Sequence, residues 1–275
     1  MVATKRVPVS KLLITSGCSF SECVVNHLEI WPKHLVNELE TWPKHLLCKL
    51  ENNGYKDHYS FGMRSQGNGL ISRGIMYQVT KALETYKPED ILVGVMWSHS
   101  NRFDYRCEDP SLLSWGNKNK HYWKENPRNI VDGAPKNWVI GNKHWDSIEF
   151  STYFKYYYSN IGASILSLEH ILRTQYFLKS KEIKYFFTDF VDDNIFLDTD
   201  KDNIELKYLI NELDKDQYLP VSSEHGWLIE NSETKEDFIK EHLVHNIKHV
   251  HPNTQQHEEF VNKIIYPWLQ EKGYV

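Results

Sequence analysis

Long apolar runs, cysteine pairs and an excess of basic charge are all missing from this chain, and each absence removes a class of protein. No stretch approaches the ~20 consecutive apolar residues that a membrane-spanning helix needs. The four cysteines (Cys18, Cys23, Cys48 and Cys107) form no CxxC pair and no compact framework. A disulfide scaffold is therefore not indicated, and a reducing compartment is expected. A net charge of −5 offers no basic field to nucleic acid or to an anionic membrane. Basic residues stand near the N-terminus, but the apolar run from Leu12 is broken at once by Thr15, Ser16 and Gly17, so no signal peptide is expected. These absences point to the cytoplasm.

What remains is 40% hydrophobic and 13% aromatic over 275 residues, enough for a sizeable core and within the range of one α/β domain with insertions. The chain alternates. A strand ends at Gly17. After it comes a direct repeat, WPKHLVNELET then WPKHLLCKLEN, which reads as a duplicated helical arm with Thr41 as a cap and Pro43 in the first turn. A second strand covers 56–61, and a glycine-rich loop from Gly62 to Gly69 opens a helix at about Gly67. Ile91–Ser98 reads as a buried strand ending in the polar cluster His99, Ser100, Asn101 and Arg102. Periodicity is lost between 103 and 150, a polar, aromatic insertion carrying Tyr105, Trp115, Tyr122, Trp123, Trp138 and Trp145. Those rings suit either packing against the body or a sugar or acyl pocket. Residues 151–180 read as one long helix, 184–189 as a fourth strand, 204–213 as a helix, Ser222 to Gly226 as a polar loop, and the last helix begins after Pro252. Such alternation predicts a mostly parallel sheet covered on both faces, and no linker divides residues 1–275.

Candidate chemistry begins with Leu12–Ser21, an apolar run stopping at Gly17-Cys18-Ser19. That pattern delivers a serine to a sheet edge, where it needs a base and oxyanion donors to act as a nucleophile. Cys18 reads as a packing residue rather than the nucleophile. The base candidate is His251, held before Pro252 and the last helix. His242, His245 and His249 crowd the same region, but their spacing matches no common zinc motif, so no metal and no cofactor is expected. The first N–H groups of the helix at Gly67 and the amide of Asn68 suit negative charge. Arg64 and Arg102 stand on neighbouring loops, fit for a substrate anion or for surface ion pairs.

In that order, Gly17-Cys18-Ser19-Phe20, the Gly62–Asn68 loop, the cluster ending at Asn101, and His251-Pro252-Asn253 resemble the blocks of the SGNH (GDSL-like) hydrolases, in their divergent phage and environmental form. The resemblance implies a flavodoxin-like three-layer α/β/α sandwich and a metal-free esterase, lipase or sugar O-deacetylase. It implies Ser19 as nucleophile and His251 as base. The oxyanion would meet Ser19, Gly67 (in preference to Gly62) and either Asn68 or Asn101. Two positions depart from the family: Cys18 replaces its aspartate, and Lys248 stands where its orienting acid falls, unless Glu224 or Glu241 reaches in. The expected function is a serine ester hydrolase removing acyl groups from a carbohydrate, with a non-catalytic glycan-binding or phage structural module as the alternative. An acyltransferase with the same serine is a third reading. The partner class is a small or glycan ester, and a virion joins the cytoplasm as an expected location.

Overall fold

The computed structural model describes residues 10–18, 21, 40–62, 66–106, 138–141, 148–190, 203–221, 223–234, 236 and 251–275. Four strands form the central sheet: β1 (Lys11–Gly17), β2 (Tyr55–Gly62), β3 (Ile91–Trp97) and β6 (Lys184–Asp189), in the order β2–β1–β3–β6. Every pairing is parallel, with Leu12–Ser16 of β1 against Ile91–Val95 of β3. A single parallel bridge from Phe187 to Tyr218 extends the β6 edge.

A strand buried on both faces must be apolar at nearly every position, and β3 is buried along its whole length. Its side chains alternate. Leu92 and Met96 join Leu13 and Phe186 under α1 (Trp42–Leu50), α6 (Glu224–Asn231), α7 (Thr254–Phe260) and α8 (Tyr266–Glu271). Val93, Val95 and Trp97 join Leu12 and Ile14 under α2 (Asn68–Ala82), α4 (Asn160–Ser180) and α5 (Ile204–Asn211). The result is a three-layer α/β/α sandwich on a parallel sheet, as the alternation predicts. Gly94 permits the first layer: a Cβ there would stand 2.6 Å from the Phe186 ring and 3.1 Å from Trp42. Among the described residues no helix is long and apolar enough to cross a membrane.

Several expected elements change on folding. The helix expected over 151–180 is two, α3 (Ile148–Tyr156) and α4, because Ser159 caps the second by accepting from Gly162 N at 2.9 Å. A serine side chain that satisfies an open helix N–H competes with continuation of the preceding helix. Ser222–Gly226 is not all loop: Ser223 accepts from Gly226 N at 2.8 Å and starts α6. The last helix contains a π turn, Val261–Ile265, just before Pro267 near the start of α8. Proline has no N–H to donate, so the ladder must be re-spaced there. In the aromatic insertion, β4 (Phe103–Arg106) and β5 (Trp138–Gly141) pair as an antiparallel ribbon, too short to show a period in sequence. In the repeat, Thr41 is the N-cap of α1 with proline in the first turn, although its side chain makes no cap bond. The first copy, apart from Glu40 and Thr41, falls outside the described residues.

Candidate active site

In this strand order the chain leaves β1 to one side, toward β2, and returns across it to β3. The reversal between β1 and β3 opens a crevice at their carboxyl ends, where open α/β sheets bind ligands. Two of the motifs singled out in the sequence meet there: the segment that follows Gly17 and the cluster from Ser98 to Arg102.

Ser19 itself is outside the described residues, as are Arg64, Glu241 and Lys248, and His242, His245 and His249. Its neighbours are defined. Cys18 is fully buried in the core, as its reading as a packing residue requires. The Cys18 carbonyl accepts from Ser21 N at 3.0 Å, and the buried Ser21 hydroxyl accepts from Trp42 Nε1 at 2.9 Å. Gly17 makes this turn possible, since a Cβ would lie 2.2 Å from Ser21 Oγ and 2.8 Å from the Met96 carbonyl.

Asn68, the first residue of α2, faces the end of β3. Its Oδ1 accepts from Ser98 N at 2.7 Å, and its Nδ2 donates to Ser98 O at 2.9 Å and to Ser167 Oγ of α4 at 3.2 Å. Both amide protons are thereby engaged. Asn101 is half-buried and its amide has no partner among the described residues. Arg102 donates from Nη1 to Ser98 Oγ at 2.9 Å, and its guanidinium lies 4.8 Å over the Phe190 ring. Its remaining N–H groups face no partner among the described residues.

Gly67 reaches the same edge, and its N–H donates to Asp104 Oδ1 at 2.9 Å, while Leu70 N donates to Asp104 Oδ2 at 2.7 Å. Asp104 thus caps α2 with a carboxylate, as the positive end of a helix favours. Burial nevertheless pushes its carboxyl up to about 6, against the two backbone bonds and the nearby Arg73 and Arg102 that hold it down. Behind it, His170 of α4 is held down to about 4, by burial first and then by Arg173 and Arg73. Asp104 did not stand out in the sequence; its one signal is its place three residues beyond Asn101.

The segment from His251 to Asn253 runs into α7, whose first residue, Thr254, meets the entry of α1. Glu40 N donates to Thr254 Oγ1 at 3.2 Å, two residues before the tryptophan that holds Ser21. His251 is exposed and Pro252 buried. Asn253 and Gln256 cap α7 reciprocally, each bond 2.9 Å. Glu224 does reach in, toward another histidine: Oε1 lies 2.6 Å from His257 Nδ1, and both side chains are buried.

No family model matches the chain, and no curated protein does. Among solved structures it is similar to protein YXIM of Bacillus subtilis, with a TM-score of 0.44 and 11% identity, covering 97% of this chain and 58% of that one. It is also similar to a Parabacteroides merdae protein provisionally described as a GDSL-like lipase, with a TM-score of 0.39 and 10% identity, covering 97% of each chain. At these scores neither likeness bears on the chemistry. The chain spans less than two thirds of the Bacillus protein.

Proposed function

We propose that the chain is a serine ester hydrolase with Ser19 as nucleophile and His251 as base. One observation carries the reading: the segment entering Ser19 leaves β1 at the crevice where the strand order reverses, the place at which such sheets take ligands. The contact of Thr254, three residues after His251, with Glu40 at the entry of α1, whose Trp42 holds Ser21, supports the pairing. In this reading His251 takes the hydroxyl proton as Ser19 attacks the ester carbonyl. The oxyanion meets the Ser19 N–H and the amide of Asn101, the asparagine whose donors are not used by any of the described residues. The proton then passes to the departing alcohol, and water, activated by the same imidazole, releases the acid. Arg102, with N–H groups that no described residue takes up, suits an anionic or hydroxyl-rich substrate. The acyl-carbohydrate preference rests on the aromatic insertion and on the resemblance.

A second reading, a glycan-binding or structural module, is favoured by two features. Lys248 stands at the resemblance's acid position, and Asp104 already holds the Gly67 N–H. Turnover of p-nitrophenyl acetate, with fluorophosphonate labelling at Ser19, decides between them. Hydrolysis and labelling that both vanish in Ser19→Ala support the hydrolase; a folded protein with neither supports the module.

A further inference from the structure

Glu224 and His257 are 0% and 1% exposed and 2.6 Å apart. Burying an ionisable pair carries a desolvation penalty that apolar side chains of similar volume would avoid. A pair like this, on the two helices that carry Trp227 and Phe260 into the core, therefore calls for a role beyond stability. Its second carboxylate oxygen, Glu224 Oε2, has no partner among the described residues.

The position of the pair indicates that role. Glu224 is the first residue of α6, whose start is tied to the sheet edge by His225 N donating to Phe190 O at 3.0 Å. His257 sits in the first turns of α7, its N–H on the Asn253 carbonyl at 3.0 Å. Two further contacts bind the helices at the far end of α6. Gln256 Nε2 donates to Thr234 Oγ1 at 2.9 Å, and Ser232 Oγ donates to Glu259 Oε2 at 2.6 Å. The turn bearing His251 leads straight into α7, with Asn253 as its cap.

We propose that Glu224 and His257 are positioning residues for His251. The buried carboxylate, acting through the His257 imidazole, locks the 251–253 turn onto α6 and supplies from a distant helix the restraint that Lys248 cannot. This rests on the serine hydrolase reading, with His251 as base. A base displaced by ~1 Å loses on the order of 100-fold in rate.

The test compares wild type with Glu224→Gln, His257→Asn and the double variant, all in the full chain. We expect kcat on p-nitrophenyl acetate to fall roughly 10- to 100-fold with KM within about twofold, since ground-state binding is untouched. The double variant should be no worse than the weaker single one, as members of one unit behave. The His251 ring resonances in NMR spectra should shift in every variant, a readout that needs no turnover. Folded variants with wild-type kcat and unmoved His251 resonances overturn the proposal. Ser19→Ala, measured alongside, separates the two claims. If it is inactive while Glu224→Gln is fully active, the positioning role alone falls. If it keeps full activity, the serine reading falls, and the His251 resonances then decide the pair's role by themselves.

Discussion

Asn68 and Ser98 exchange two hydrogen bonds across the carboxyl end of the sheet, so that a side-chain amide continues the pairing that β3 would make with another strand. Ser98 is 2% exposed and its backbone N–H and carbonyl have no water to turn to. We predict that Asn68→Ala, which orphans both groups and Ser167, lowers stability by about 2–4 kcal/mol. Urea unfolding checks this, and a loss under ~1 kcal/mol would show that the bridge is dispensable.

Two titrating groups beside α2 should drive stability in opposite directions. Asp104 ionises at about 6 when folded and near 3.8 when unfolded. The folded chain therefore binds the extra proton between these values, and stability falls as pH rises through that window. At ~1.4 kcal/mol per pKa unit, wild-type stability should fall by about 3 kcal/mol between pH ~4 and pH ~6, and Asp104→Asn, which cannot ionise but keeps only one of the two acceptors for Gly67 and Leu70, should lose that pH dependence. Unfolding curves across that range test it; an Asn variant with the same pH dependence as wild type would count against the buried carboxylate.

His170 carries the opposite sign. Its imidazole is held near 4 against 6.5 when unfolded, so its contribution is complete above pH ~6.5 and is lost as the pH falls toward ~4. His170→Gln should flatten the acid side of the stability profile, removing about 2 kcal/mol of pH dependence. A profile unchanged by this substitution would mean that the ring keeps its proton on folding.

Glycines 17 and 94 distinguish the site from the core. In Gly94→Ala the new methyl meets the edge of the Phe186 ring at 2.6 Å, and overpacking of this kind costs about 1–3 kcal/mol. In Gly17→Ala the methyl meets a backbone carbonyl and the Ser21 hydroxyl, so the turn beside Ser19 must move. We expect Gly94→Ala to keep its specific activity per folded molecule and Gly17→Ala to lose at least ~10-fold. Equal activity in both would detach this turn from the chemistry.

The layered architecture was legible because burial on two faces leaves an unmistakable mark. Leu12–Ile14, Ile91–Trp97 and Tyr185–Phe187 are apolar almost without interruption, and the amphipathic stretches between them show the helical period. The break at Ser159 and the start of α6 at Glu224 were not legible, because capping turns on one hydroxyl finding one N–H. The β4–β5 ribbon joins segments more than thirty residues apart in sequence, beyond the reach of any local pattern.

The same division runs through the candidate site. Local sequence determined that a glycine and a serine follow β1, that polar residues end β3, and that His251 precedes a proline and a helix, because strand ends and helix starts are written in neighbouring residues. Only the tertiary structure decided what those groups face. It turned Asn68 to Ser98, gave the Gly67 N–H to Asp104, and paired Glu224 with His257 across 33 residues. Such partners are chosen by the need to satisfy buried polar groups wherever packing brings them, and packing is a property of the whole fold.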